Sequence, residues 1–151
     1  MKRTLLPNER GSALVEFAFA TPILLLILVG LIEVTRFAYF CILVGNAAHA
    51  GAAYGAQTLA TANDTTGMQN AAKNDGQNVP QLSVTSAGAV CGCWNGTAST
   101  AQACTTTTCA VGHRVIYAQV TVQGTVTHLF AYAGLPSTYT ITRQAVIRVQ
   151  Q

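Results

Sequence analysis

The fold is decided by RGSALVEFAFATPILLLILVGLIEVTRFAYF, residues 10–40, continued by CILVGNAAHAGAAYGAQ, residues 41–57. From Phe17 to Ile32 no residue is charged, and only Thr21 and Pro22 interrupt the apolar run. A helix crossing a bilayer needs about 20 apolar residues. Reaching that length means counting Ser12 to Val15, which carries Glu16 into the membrane. A charge at the centre of a membrane helix costs about 2.5–3.5 kcal/mol, so an acid there is by default a functional residue with a partner.

What precedes and follows Glu16 narrows its meaning. A basic leader ends at Gly11, and Ser-Ala-Leu-Val-Glu-Phe opens the apolar helix. This resembles the prepilin cleavage motif, in which a membrane peptidase cuts after a glycine and a glutamate lies five residues into the mature chain. The resemblance makes Gly11 the last leader residue, Ser12 the new N-terminus and Glu16 the fifth mature residue. It further implies that Glu16, with Phe17 beside it, acts in assembly by neutralising the Ser12 ammonium of a neighbouring subunit.

The longer pattern is similar to the TadE-like family of tight-adherence (Tad or Flp) pilus systems. That family's first block runs G-x-x-x-x-E-F, then P-L-L-L and G-x-x-E, followed by a segment like A-A-R-E-G-A-R. Gly11, Glu16, Phe17, Pro22, Gly30, Glu33, Ala47, Ala48, Gly51 and Ala52 fall on it, whereas His49 and Ala53 stand where arginines are usual. The resemblance implies a minor pseudopilin whose partners are other pilin or pseudopilin subunits met through the N-terminal helix, a prepilin peptidase, the pilus assembly platform with its ATPase, and the inner membrane. Two rival readings are a major filament subunit and an uncleaved, membrane-anchored binding module.

Composition agrees with a buried, polymerising subunit. Only 9% of the residues are charged and 50% are hydrophobic. The net charge is +3 overall, and from Ser12 onward Arg36, Lys73, Arg114, Arg143 and Arg148 face four acids. With no basic cluster, nucleic acid is not an expected partner. Lys2, Arg3 and Arg10 precede the span and only Arg36 closely follows it, so the positive-inside bias puts the N-terminus in the cytoplasm of a single-pass inner-membrane protein. The C-terminal domain is then periplasmic, or extracellular once built into a pilus. A cleaved secretory signal fits less well, because the apolar run continues through Val44.

The expected organisation is a leader over 1–11, a transmembrane half-helix over 12–35, an amphipathic half-helix over 36–62 and a sheet domain over 63–151. One continuous helix is expected from Leu14 to about Thr61, with Pro22 inside it. Glu33 and Arg36 are spaced to pair on one helix face. Ala47, Gly51 and Gly55 form a small-residue strip suited to helix packing, equally against neighbouring helices of a filament or against the chain's own sheet. A short helix is expected over Thr66–Lys73.

From Ile116 to Thr127 and again from Tyr139 to Val149 the apolar residues alternate, which predicts half-buried strands. Leu82, Val84 and Val90 suggest a weaker first strand. The fold class is therefore α+β: a long N-terminal helix packed on a small antiparallel sheet of three or four strands with a disulfide-braced loop. That loop runs from Cys91 to Cys109 and includes Trp94 and the Thr105 to Thr108 run. Leu129, Phe130, Tyr132, Leu135 and Pro136 are expected to cap the core, the alternative being an aromatic patch shown to a partner.

Cys91, Cys93, Cys104 and Cys109 form an even set in an exported domain and read as two disulfides. Bonding Cys91 to Cys93 would close a strained ring, leaving the two pairings that join the C-x-C to Cys104 and Cys109. No metal site is expected, since C-x-C-x10-C-x4-C is not a familiar zinc spacing. Only Asp64 and Asp75 are acids outside the leader and the helix, and no phosphate-binding glycine loop or nucleophile motif is present. An enzyme is not expected, nor a cofactor.

Overall fold

The computed structural model describes residues 10–105, 108–130, 134 and 136–150. The leader residues up to Glu9, with Lys2 and Arg3, lie outside these residues, as do Thr106, Thr107, Tyr132 and Leu135. The chain divides into two compact units, Met1–Phe37 and Ala38–Gln151.

The first unit is helical as far as it is described. Helix α1 runs from Arg10 to Gly55 and continues through Pro22. The Thr21 hydroxyl donates to the Phe17 carbonyl at 2.7 Å, and the Thr35 hydroxyl donates to the Leu31 carbonyl at 2.8 Å. Both polar side chains thereby satisfy themselves on their own helix, as a segment surrounded by lipid requires. Glu33 and Arg36 pair at 3.7 Å, as their spacing predicts.

The second unit holds the last turns of α1, two short helices and a sheet. Helix α2 spans Leu59–Asn63 and α3 spans Thr65–Asp75. Strands β1 (Ser83–Trp94), β2 (Ser99–Gln102), β3 (His113–Thr127) and β4 (Thr138–Arg148) form one antiparallel sheet in the order β2-β1-β3-β4. The expected architecture is present, with four strands.

Three local expectations are corrected. The helix expected to reach Thr61 stops at Gly55, because Thr58 starts a new one. The Thr58 side chain accepts from the Thr61 backbone N–H while the Thr61 hydroxyl accepts from the Thr58 N–H, a capping box that opens α2. The segment after Cys91 is not all loop. Cys91 to Trp94 extend β1, β2 pairs with them, and the Asn95 carboxamide oxygen accepts from the N–H groups of Thr97 and Ala98 to shape the turn. Leu129 and Phe130 do not cap the core, being 54% and 43% exposed.

The core lies between the last part of α1, α3 and one sheet face. Val44, Ala47, Ala48 and Ala52 from α1 and Met68 and Ala72 from α3 are buried with Val120, Val122, Val126 and Ile141 from the sheet. The alternation along β3 explains why: Ala118, Val120, Val122 and Val126 share one face. Burying each valine contributes about 1.5–3 kcal/mol relative to exposure. The end of the chain is tied to the same layer, since the Gln150 N–H donates to the Ala56 carbonyl and the Val149 N–H to the Ile116 carbonyl.

Candidate functional site

The first candidate surface is the N-terminal part of α1. Leu14, Phe17 and Phe19 are 72%, 66% and 76% exposed, and the apolar side chains from Ile23 to Leu28 are exposed as well. No residue in the most apolar window of this helix is buried, and it is the one helix among the described residues long and apolar enough to cross a membrane. Such a surface is stable only in an apolar medium, lipid or other helices. The helix is therefore a candidate membrane anchor.

Glu16 lies on this helix, exposed and with no hydrogen-bond or ion-pair partner among the described residues. Phe17 follows it directly. Gly11 and Ser12 fall in the first turn of α1, and their surroundings lie outside the described part of the structure.

The small-residue strip occupies the second unit. A Cβ on Gly51 would stand 2.8 Å from the Met68 carbonyl oxygen and 3.1 Å from the Ala72 Cβ. On Gly55 it would meet the Met68 sulfur and, at 2.8 Å, the Ala118 Cβ. Ala47 is fully buried beside them. Within the chain, then, the strip brings α1 against α3 and β3.

The four cysteines gather at the β2 end of the sheet. Cys91 is bonded to Cys104 and Cys93 to Cys109. The register places Cys91 opposite Gln102 and Cys93 opposite Thr100, so both bridges anchor the segment after β2 to the adjacent strand. Arg114, opposite Cys93 on β3, extends its guanidinium into this cluster. Its Nη2 donates to the Cys104 carbonyl at 2.9 Å and lies 3.6 Å from the Cys91 sulfur. Sequence reasoning had no signal for Arg114, because its role comes from strand register rather than from local pattern.

The histidines do not converge. His49 is exposed, His113 lies 3.5 Å from the Arg148 guanidinium, and the His128 ring packs against Tyr139. Among the described residues no group of three or more His, Cys, Asp or Glu side chains is arranged to hold a metal ion.

No curated protein and no solved structure matches the chain. The TadE-like protein family matches over residues 11–53, the stretch that contains Gly11, Glu16 and the exposed apolar face, so α1 carries a TadE-like segment.

Proposed function

We propose that this chain is a minor pseudopilin of a bacterial tight-adherence pilus system, processed after Gly11 and assembling through its N-terminal helix. The observation that carries the reading is a coincidence of sequence and surface. The TadE-like match covers the same segment whose apolar side chains are exposed; of its two acids Glu33 pairs with Arg36, whereas Glu16 has no partner among the described residues. In the bilayer, cleavage after Gly11 frees the Ser12 ammonium close to the depth of Glu16. An acid and an ammonium from neighbouring subunits neutralise each other when their helices bundle, which makes assembly the step that relieves the buried charge.

The division of labour along the chain follows. Residues 12–35 anchor the subunit and then line the filament interior, while 63–151 form the periplasmic domain. The partners are other pilin-like subunits, the prepilin peptidase and the assembly platform in the inner membrane. Because Gly51 and Gly55 are occupied by α3 and β3, contact with neighbouring helices falls to the exposed side chains from Leu14 to Val34.

The test is Glu16→Ala, expressed in cells that carry the full assembly machinery. The variant should reach the membrane and lose its leader yet fail to enter sheared pili. Normal incorporation refutes the assembly role of Glu16.

A further inference from the structure

The two disulfides have different surroundings, and Arg114 stands beside one of them. Cys91 and Cys93 are 3% and 8% exposed, and Cys109 is half-buried, but Cys104 is exposed. An incoming thiolate therefore reaches the Cys91–Cys104 bridge from the Cys104 side. The opposite sulfur, on Cys91, has the Arg114 Nη2 at 3.6 Å. The Arg114 Nε is buried and has no acceptor among the described residues. A neutral disulfide sulfur is a weak acceptor for the Nη2 beside it, whereas a thiolate accepts strongly and is stabilised by the positive charge. The Cys93 and Cys109 sulfurs lie instead beside the Gln102 carboxamide oxygen.

We propose that Cys104 is the entry point for thiol–disulfide exchange with a dithiol, such as that of a disulfide oxidoreductase, and that Cys91 is the leaving group held by Arg114. One thiolate of the dithiol attacks the Cys104 sulfur. The Cys91–Cys104 bond breaks, and its electron pair stays on Cys91 as a thiolate facing the Arg114 guanidinium. The second thiol of the dithiol, as its thiolate, then attacks the mixed disulfide and releases Cys104. Cys104 and Cys91 end reduced and the dithiol ends as its own disulfide, two electrons having passed between them. Run backwards, the same step closes this bridge in an oxidising compartment. The Cys93–Cys109 bridge is untouched and keeps the segment attached to β1.

The experiment uses the full chain in detergent, treated with graded dithiothreitol, quenched with one alkylating agent, then fully reduced and labelled with a second. Peptide mass spectrometry reads each cysteine. Cys91 and Cys104 should take the first label well before Cys93 and Cys109. Labelling of Cys93 and Cys109 first, or of all four together, overturns the proposal. The Arg114→Leu variant separates leaving-group stabilisation from simple bracing. Loss of the charge should slow opening of Cys91–Cys104 by roughly three- to tenfold, with Arg114→Lys restoring much of the rate. If Arg114 only braced the segment, Arg114→Leu would open faster, and that result also overturns the assignment. Should Arg114→Leu fail to fold, the order of labelling in the unmodified chain and the rate for Arg114→Lys still decide.

Discussion

The Tyr54 hydroxyl donates a 2.9 Å hydrogen bond to Asp64 Oδ2, joining the last turn of α1 to the residue that caps α3. The other carboxylate oxygen, Oδ1, accepts from the Gly67 backbone N–H at 2.8 Å. One side chain thus closes the helix start and fixes how the chain returns from α1. Gly67 is required where it stands, since a Cβ there would lie 2.5 Å from the Tyr54 ring.

A pH dependence follows from this arrangement. The Gly67 N–H, and after it the Tyr54 hydroxyl, hold the Asp64 carboxyl below its ordinary value of 3.8. A depressed carboxylate contributes stability that is present above its unfolded pKa and lost as pH falls through its folded one. Asp64→Ala should lower Tm by a few degrees at neutral pH. The gap to the parent chain should narrow as the solution is acidified below 3.8. Thermal melts of both chains across pH check this, and a gap that stays constant into strong acid contradicts it.

Two helix glycines should respond oppositely to the same change. Around Gly45 a new Cβ meets nothing within 4 Å, while at Gly51 it meets the Met68 carbonyl at 2.8 Å. Gly45→Ala should stabilise the chain by up to about 1 kcal/mol through helix propensity. Gly51→Ala carries the same gain, but overpacking against backbone costs about 1–3 kcal/mol, so the net change should be destabilising. Denaturation of the two variants side by side gives the signs.

Gly55 and Met68 should be coupled. Met68 is fully buried, and its truncation to alanine should cost about 2–5 kcal/mol. A Cβ on Gly55 would strike the Met68 sulfur and approach its Cγ at 3.0 Å, so Gly55→Ala alone should also destabilise. With both changes the new methyl enters space the thioether vacates. The double variant should lose less than the two single losses combined, and simple additivity would show that the sites do not share this space.

The Cys93–Cys109 bridge spans 16 residues in sequence. Replacing both cysteines by serine should cost about 2–4 kcal/mol. Hydrogen exchange should locate the loss: amides of β2 should exchange faster while those between β3 and β4 keep their protection. Equal loss of protection across the sheet would mean that the bridge braces the whole domain.

How far the sequence could be read depended on whether its signals were local. The alternation of Val120, Val122 and Val126 needs no partner to be visible, and it marked β3 correctly. The same holds for the apolar run that became α1. By contrast, Cys91, Gly92 and Cys93 lack the apolar alternation of a strand, so their pairing with β2 shows only once the register is known. Asp64 was legible as an acid beyond the long helix but not as the cap of a following one. The small strip of Ala47, Gly51 and Gly55 signals close approach without naming what approaches, and in the fold α3 and β3 do. Arg114 was invisible for the same reason, since its neighbours Cys91 and Cys104 are distant in sequence.

Assembly through Glu16, as proposed, requires a processed N-terminus that brings an ammonium to it. Intact-mass and N-terminal analysis of the protein from native membranes and sheared pili tests this most directly. The prediction is a chain beginning at Ser12 in both fractions, minor in the pilus. A chain beginning at Met1 would contradict it, leaving Glu16 without its proposed partner and the apolar helix as a permanent anchor.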